Sequence, residues 1–193
     1  MNVLLLGPQG SGKGTQAKRI QDEYAVPHIA TGEILRAAIA ADSELGRRVK
    51  PIVESGQLVP DDLMIELIRE RLGQEDAQAG FILDGFPRTL PQAQALDPML
   101  VDIGRELSIV FGFQLDDEVG IERMLRRQEI EHRKDDTPEA IAQRLELYHR
   151  ETEPLIDYYR AQGNLVGIHA DRPVDQVFAE VQDALEQTAA RSA

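Results

Sequence analysis

An uninterrupted apolar run, Val3-Leu4-Leu5-Leu6, passes directly into Gly7-Pro8-Gln9-Gly10-Ser11-Gly12-Lys13-Gly14-Thr15, and a helical pattern opens at Lys13. A short run that is apolar at every position suits a strand covered on both faces, as in a parallel sheet flanked by helices. The glycines let the backbone turn its N–H groups inward, and the start of a helix adds the positive end of its dipole. Lys13 supplies a mobile full charge. In this strand–loop–helix context the segment reads as a phosphate cradle and not as a Gly-rich turn carrying an exposed lysine.

The same alternation continues along the chain. Lys13 to Tyr24 reads as a helix and Pro27-His28-Ile29-Ala30 as a short strand, with Thr31 a candidate cap for the helix that follows. Residues 42–73 carry helical patterns interrupted by Gly46, Pro51, Gly56 and Pro60, which predicts several short helices. Phe81-Ile82-Leu83 is another buried strand, ending at Asp84-Gly85. Residues 107–115 contain a fourth strand and residues 164–169 a fifth. Between Asp136 and Ala161 lies a long helical pattern, with Thr137 as its cap and Pro138 at its first position. Pro154 should kink or divide it. Val174 to Thr188 forms a closing amphipathic helix. Strands alternating with helices predict an α/β fold: a doubly wound five-stranded parallel sheet with flanking helices, its working loops at the carboxyl ends of the strands.

Composition narrows the function. The 193 residues suffice for one domain with a substantial core. The formal charge of −13 leaves no global footprint for nucleic acid and disfavours anionic membranes. There is no cysteine, which excludes disulfides, thiolate zinc sites and cysteine nucleophiles. That agrees with a reducing compartment, so a cytoplasmic location is expected. The N-terminal apolar run is too short for a signal peptide or a membrane span. Against this acidic background Arg123, Arg126, Arg127, Arg133, Lys134 and Arg144 crowd one stretch. Alone they would suit a solvated helix face; beside a phosphate loop they suggest phosphate ligands.

One position departs from the strict phosphate-loop pattern. Gly14 stands where a Ser or Thr would touch magnesium, and Thr15 follows. Mg²⁺ accompanying a nucleotide would therefore lean on phosphate oxygens, water and a carboxylate elsewhere. Asp84, at the end of a buried strand, is the candidate, holding the ion through water. The plainer alternative is a turn-forming Asp before Gly85.

The loop Gly7-x-x-Gly10-x-Gly12-Lys13-Gly14-Thr15 resembles the nucleoside monophosphate kinases, P-loop proteins. Three later segments resemble theirs in the same order: Thr31-Gly32-Glu33-Ile34-Leu35-Arg36, then Asp84-Gly85-Phe86-Pro87-Arg88-Thr89-Leu90-Pro91-Gln92-Ala93, then Arg133-Lys134-Asp135-Asp136 followed by Arg144. The chain is thereby similar to the adenylate kinases over nearly its whole length. The resemblance implies reversible transfer of a phosphoryl group from Mg-ATP to AMP, giving two ADP. It implies that Gly10, Ser11, Gly12, Lys13, Gly14, Thr15, Arg127 and Arg172 hold ATP. Thr31, Arg36, Gln57, Leu58, Val59, Gly85, Phe86, Pro87, Arg88, Gln92, Arg133 and Arg144 would hold AMP. Lys13, Arg88, Arg123, Arg133 and Arg144 are the catalytic candidates. Only Gln128 to His132 separates Arg127 from Arg133, so the chain looks like a short-lid member. His132 has no zinc-ligand companions, and no zinc is expected. The implied layout is one domain over 1–193, with a core of 1–29, 60–126 and 138–193, an AMP-binding segment at 30–59 and a lid at about 127–137. The expected partners are ATP, AMP and ADP, without nucleic acid or membrane, on a monomer.

Two other readings stay open at this level. A UMP/CMP kinase shares the fold and loop; Thr31 and Gln92 match the adenine-reading positions instead, and an amide suits the adenine edge. The plainer alternative for Gln92, which carries less weight, is an exposed loop residue after Pro91. A nucleotide-dependent switch would need segments that read the γ-phosphate, and it gives the arginine-rich stretch no obvious use.

Overall fold

The computed structural model describes residues 1–131 and 135–192. Five parallel strands form one sheet: β1 (Asn2–Leu6), β2 (His28–Ala30), β3 (Phe81–Asp84), β4 (Ile109–Gln114) and β5 (Leu165–His169), in the order β2-β3-β1-β4-β5. The register sets Leu4 opposite Leu83 on one side and Val110 on the other. The chain passes from β1 to the edge strand β2, returns to β3 beside β1, and then crosses to β4 and β5, so the crevice beyond the carboxyl end of β1 lies at the topological switch point.

The apolar runs divide by the two-residue period of a strand. Leu4 and Leu6 of β1 pack with Phe81, Leu83 and Val110 under one helical layer, while Val3 and Leu5 pack with Ile82, Ile109 and Phe111 under the other. The first layer contains α2 (Thr31–Ala40), α3 (Glu44–Glu54), α4 (Asp61–Leu72), α5 (Leu90–Asp102) and α8 (Pro154–Gln162). The second contains α1 (Lys13–Tyr24) and α9 (Val174–Ser192). Burying each such Leu or Ile fully contributes about 1.5–3 kcal/mol, which explains why the middles of the central strands β1, β3 and β4 are apolar. A third, small cluster joins Met124 of α6 (Asp117–Glu131) to Ile141 and Leu145 of α7 (Pro138–Leu147).

Several local expectations change. Thr31 is not a cap: Ala30 occupies that position, and Thr31 begins the helix with its Oγ1 donating to the Asp84 carbonyl at 3.3 Å. Gly46 and Pro51 do not interrupt the helical pattern; both lie within α3. Gly46 is there because α3 crosses α2 so closely that a Cβ would stand 2.0 Å from the Ala38 carbonyl oxygen. The other two expected interruptions do mark the break: Gly56, with φ +78°, follows the end of α3 and Pro60 precedes α4. Thr137 does cap α7, accepting from the Ala140 N–H at 3.2 Å. The long pattern after it divides at a widened turn, where Glu153 N donates to Tyr148 O at 2.8 Å, and α8 restarts at Pro154. The closing helix runs on to Ser192. The helices α5 and α6, and a single tight turn at Glu75–Ala77, were not delineated from sequence. Among the described residues no helix is long and apolar enough to cross a membrane.

Candidate active site

A cavity of about 880 Å³ opens at the carboxyl end of the sheet, along the loop from β1 to α1. Gly10 has φ +81°, and a Cβ on it would stand 2.6 Å from the Gly120 carbonyl oxygen of α6. A non-glycine residue there would meet both backbone strain and overlap. This backbone-on-backbone contact seats α6 against the loop. Arg123 and Arg127, one and two turns beyond Gly120, then face the cavity. Arg123 donates to the Ala170 carbonyl at 2.8 Å, and Arg127 binds Asp136 through Nε at 2.8 Å and through its terminal nitrogen at 2.7 Å.

Lys13 folds over its own loop. Its Nζ donates to the carbonyls of Gly7 and Pro8, both at 2.7 Å, and to Ser11 Oγ at 3.2 Å. Burial, with Arg88 and Arg127 nearby, pushes its pKa down to about 8 against the pull of Asp84. Asp84 sits at the end of β3, its Oδ2 3.2 Å from His28 Nε2. Burial opposes its ionisation more than any other single influence. The His28 hydrogen bond and the charges of Lys13 and Arg88 together outweigh burial and hold the carboxyl below its ordinary range. A Cβ on Gly14 would stand 3.6 Å from Asp84 Oδ2, so the residue lacking a hydroxyl faces this carboxylate directly.

On the opposite wall, Arg88 donates from Nε to the Gly85 carbonyl at 2.8 Å, while Thr152 Oγ1 donates to the Arg88 carbonyl at 2.8 Å. Burial and the neighbouring guanidiniums of Arg144 and Arg36 lower the pKa of Arg88, partly offset by Asp84. Arg144 reaches Asp135 and Asp136, each at 2.8 Å, and Asp135 also lies 3.5 Å from Arg36. Burial works against ionising Asp135, but Arg144 and Arg36 prevail and lower its pKa. These two acids are deeply buried and tie cations from α2, α6 and α7 together. In sequence they are only the end of a motif; their position as the hub needed three-dimensional proximity.

The cavity wall contains Gly10 to Thr15, Thr31, Arg36, Gln57, Leu58, Val59, Asp84, Gly85, Pro87, Arg88, Gln92, Arg123, Arg127, Arg144 and Arg172. Arg172 stands at the rim with its side chain half exposed. Phe86 does not reach the wall: it is fully buried in the core beneath Pro87, with the Phe86–Pro87 peptide cis. Gln92 is not an exposed loop residue. It lies in the first turn of α5, where Thr89 caps, and is 2% exposed. Arg133 and His132 lie outside the described residues. Sequence reasoning passed over Gln9, Gln16, Tyr148 and Val174, which also line the cavity. The sequence signal for Gln9, Gln16 and Val174 is adjacency to the loop or to Arg172, and for Tyr148 its place one helical turn after Arg144.

A parallel sheet with a phosphate loop at its switch point, and a cavity gathering cations from several elements, defines a P-loop nucleotide-binding protein. The family model for adenylate kinase matches residues 5–164. An adenylate kinase of Cyanothece sp. is 48% identical over 185 residues, spanning 96% of this chain and 95% of the relative. The adenylate kinase of Phenylobacterium zucineum is 47% identical over 98% of this chain and all of its own length, and that of Methanosarcina barkeri is 40% identical over 98% and its full length. The chain belongs to the adenylate kinase family.

Proposed function

We propose that this protein transfers a phosphoryl group reversibly between Mg-ATP and AMP, forming two molecules of ADP. The carrying observation is the convergence of Lys13, Arg36, Arg88, Arg123, Arg127 and Arg144 on one cavity in a chain whose formal charge is −13. Two nucleotides placed phosphate to phosphate bring strongly repelling charges together, and the transition state spreads charge over the equatorial oxygens of the moving group. Aligned cations answer both needs. Arginine forks meet phosphate oxygens through paired bonds.

In this reading Gly10 to Thr15, with Arg127 and Arg172, hold ATP. Thr31, Arg36, Gln57 to Val59, Gly85, Pro87, Arg88 and Gln92 hold AMP, while Arg144 reaches its phosphate. Phe86 supports the AMP wall from the core. Arg133 is assigned with them on resemblance. An AMP phosphate oxygen attacks the γ-phosphorus. The bond from that phosphorus to the bridging oxygen breaks, and its electron pair leaves on the β-phosphate of ADP. The nucleophile is already anionic, so no general base is required. Lys13, Arg88, Arg123 and Arg144 stabilise the moving charge.

The donor set suits a hard cation: Asp84 is an oxygen ligand kept ionised by its neighbours. Asp84 would hold Mg²⁺ through water, and the ion when bound supplies charge neutralisation between phosphates. Residues 30–59 act as the clamp on AMP and residues near 127–137 as a short cover over ATP, excluding water that would hydrolyse the donor. The protein works as a cytoplasmic monomer.

The test is coupled ADP formation from Mg-ATP with AMP, CMP, UMP and GMP in parallel. AMP should be preferred. Clear transfer to a pyrimidine monophosphate without transfer to AMP would overturn the reading. ATP hydrolysis indifferent to every acceptor would point to a switch.

A further inference from the structure

Gln92 is held by two groups of opposite hydrogen-bonding character. Its Oε1 accepts from the Arg88 backbone N–H at 2.7 Å, and its Nε2 donates to Asp61 Oδ1 at 2.7 Å. Asp61 Oδ1 also accepts from Thr89 Oγ1 at 3.0 Å, and Thr89 Oγ1 in turn accepts from the Gln92 backbone N–H at 3.3 Å. Asp61 opens α4 and Thr89 caps α5, so both anchors sit on helix starts. Gln92 lines the main cavity, whereas Asp61 and Thr89 face a separate groove behind it.

We propose that Asp61 is a specificity-determining positioning residue that fixes the orientation of the Gln92 amide and so excludes 6-oxopurine monophosphates. The inference rests on the reading that Gln92 meets the acceptor's base. A primary amide is nearly symmetric in shape but not in chemistry: one end only donates and the other only accepts. Rotating it by half a turn would aim Nε2 at the Arg88 N–H and Oε1 at the Asp61 carboxylate. Both contacts would fail, and the second would set an oxygen against a charged oxygen. The internal bonds use one N–H and one acceptor position, leaving one of each for a ligand. A 6-aminopurine offers a donor at its 6-position, which suits the fixed carbonyl. A 6-oxopurine offers an acceptor there, and on its base-pairing edge the neighbouring N1 changes from acceptor to donor as well. The rotated amide is the one that would suit it. Asp61 touches neither base nor phosphate in this account; it acts through Gln92.

Asp61→Asn tests this, because an asparagine can present either an acceptor or a donor to Gln92, which leaves the Arg88 N–H as the one anchor opposing rotation. Kinetics with AMP and with inosine monophosphate, the 6-oxo counterpart without an added 2-amino group, give the discrimination ratio. Relative to wild type, the ratio of kcat/KM for AMP over inosine monophosphate should fall about tenfold, the scale of one charge-assisted hydrogen bond. The change should lie in KM for the acceptor, with KM for ATP unmoved. Binding of each monophosphate by titration calorimetry, without turnover, should follow the same order. Gln92→Ala separates the two layers of argument. If it leaves the discrimination at the wild-type value, Gln92 does not read the base and the underlying reading fails. If Gln92→Ala collapses discrimination while Asp61→Asn preserves it, Gln92 is the reader but Asp61 is not its lock. A loss of activity in Asp61→Asn equal for both acceptors, together with a lowered melting temperature, would mark Asp61 as merely structural and overturn the proposal.

Discussion

Replacing Arg144 by methionine asks two questions of one residue. Arg144 is 11% exposed, Asp136 is fully buried and Asp135 nearly so, and the arginine bonds each acid at 2.8 Å. A charge-assisted hydrogen bond contributes about 1.5–3 kcal/mol, and breaking a buried ion pair from one side costs about 3–5 kcal/mol. The upper end does not apply, since Asp136 keeps Arg127 at 2.7 Å and Asp135 keeps Arg36 at 3.5 Å. Methionine also retains most of the aliphatic packing. A loss of about 3 kcal/mol follows, or a fall of about 6–12 °C in Tm for a chain of this size. The penalty should depend on pH with a definite sign. The Asp135 pKa is depressed in the fold, so its stabilisation is present above the ordinary carboxylate value and disappears as pH falls through the depressed one. The gap between wild type and Arg144→Met should therefore narrow on acidification. Thermal melts across an acidic-to-neutral pH series measure this, and coupled ADP formation at a temperature where both forms are folded measures the catalytic share. A variant melting within about 2 °C of wild type at neutral pH would show that the buried network is not stabilising, on the same conversion.

Lys13→Ala should keep its fold and lose about 10²–10³-fold in turnover, as expected for one preorganised charge at a developing charge; a folded variant retaining a tenth of wild-type turnover would remove Lys13 from the chemistry. Lys13 also predicts an alkaline effect: its folded pKa of about 8 lies below its ordinary value of 10.5. Between those values the unfolded chain holds the extra proton, so stability should rise with pH relative to Lys13→Met, by urea denaturation. An advantage of the variant that stayed flat across that window would show that burial does not depress Lys13. Thr137→Ala removes the side-chain acceptor for the Ala140 N–H. It should cost about 1 kcal/mol, seen as a Tm lower by about 2–4 °C, with the cap beside the Asp135–Asp136 hub as its structural reach.

The electrostatic arrangement follows from burial more than from charge count. Arg88 and Lys13 both have depressed pKa values because they are desolvated among other cations. Such a cluster would oppose folding unless countered. Asp84 stands at one end of it and the Asp135–Asp136 hub at the other, within the same walls as the arginines. These acids hold the guanidiniums in defined places. Nucleotide phosphates can then replace part of the repulsion between cations with attraction, and a ligand shifts the conformational balance only through such differential contacts.

The three central strands were legible because parallel strands covered on both faces must be apolar, and Leu4, Phe81 and Val110 belong to such runs. The loop was legible because glycine, lysine and helix start coincide in one short window. The helices α5 and α6 were not delineated for physical reasons. Pro91 and Pro98 lie inside α5 and look like breakers in sequence, although Pro91 falls in the first turn, where its missing N–H costs nothing. Along α6, charged residues crowd a helix with only Gly120 and Met124 buried, so no broad apolar stripe announces it. The same limit applied to the site. Motifs could name Gln92 and Arg144, because each matches a familiar position. They could not name what fixes them: Asp61 is 31 residues from Gln92, and no periodicity links the two. Such partners become visible only when helix starts from different parts of the chain meet, which is why the sequence named the groups lining the cavity more completely than the groups holding them.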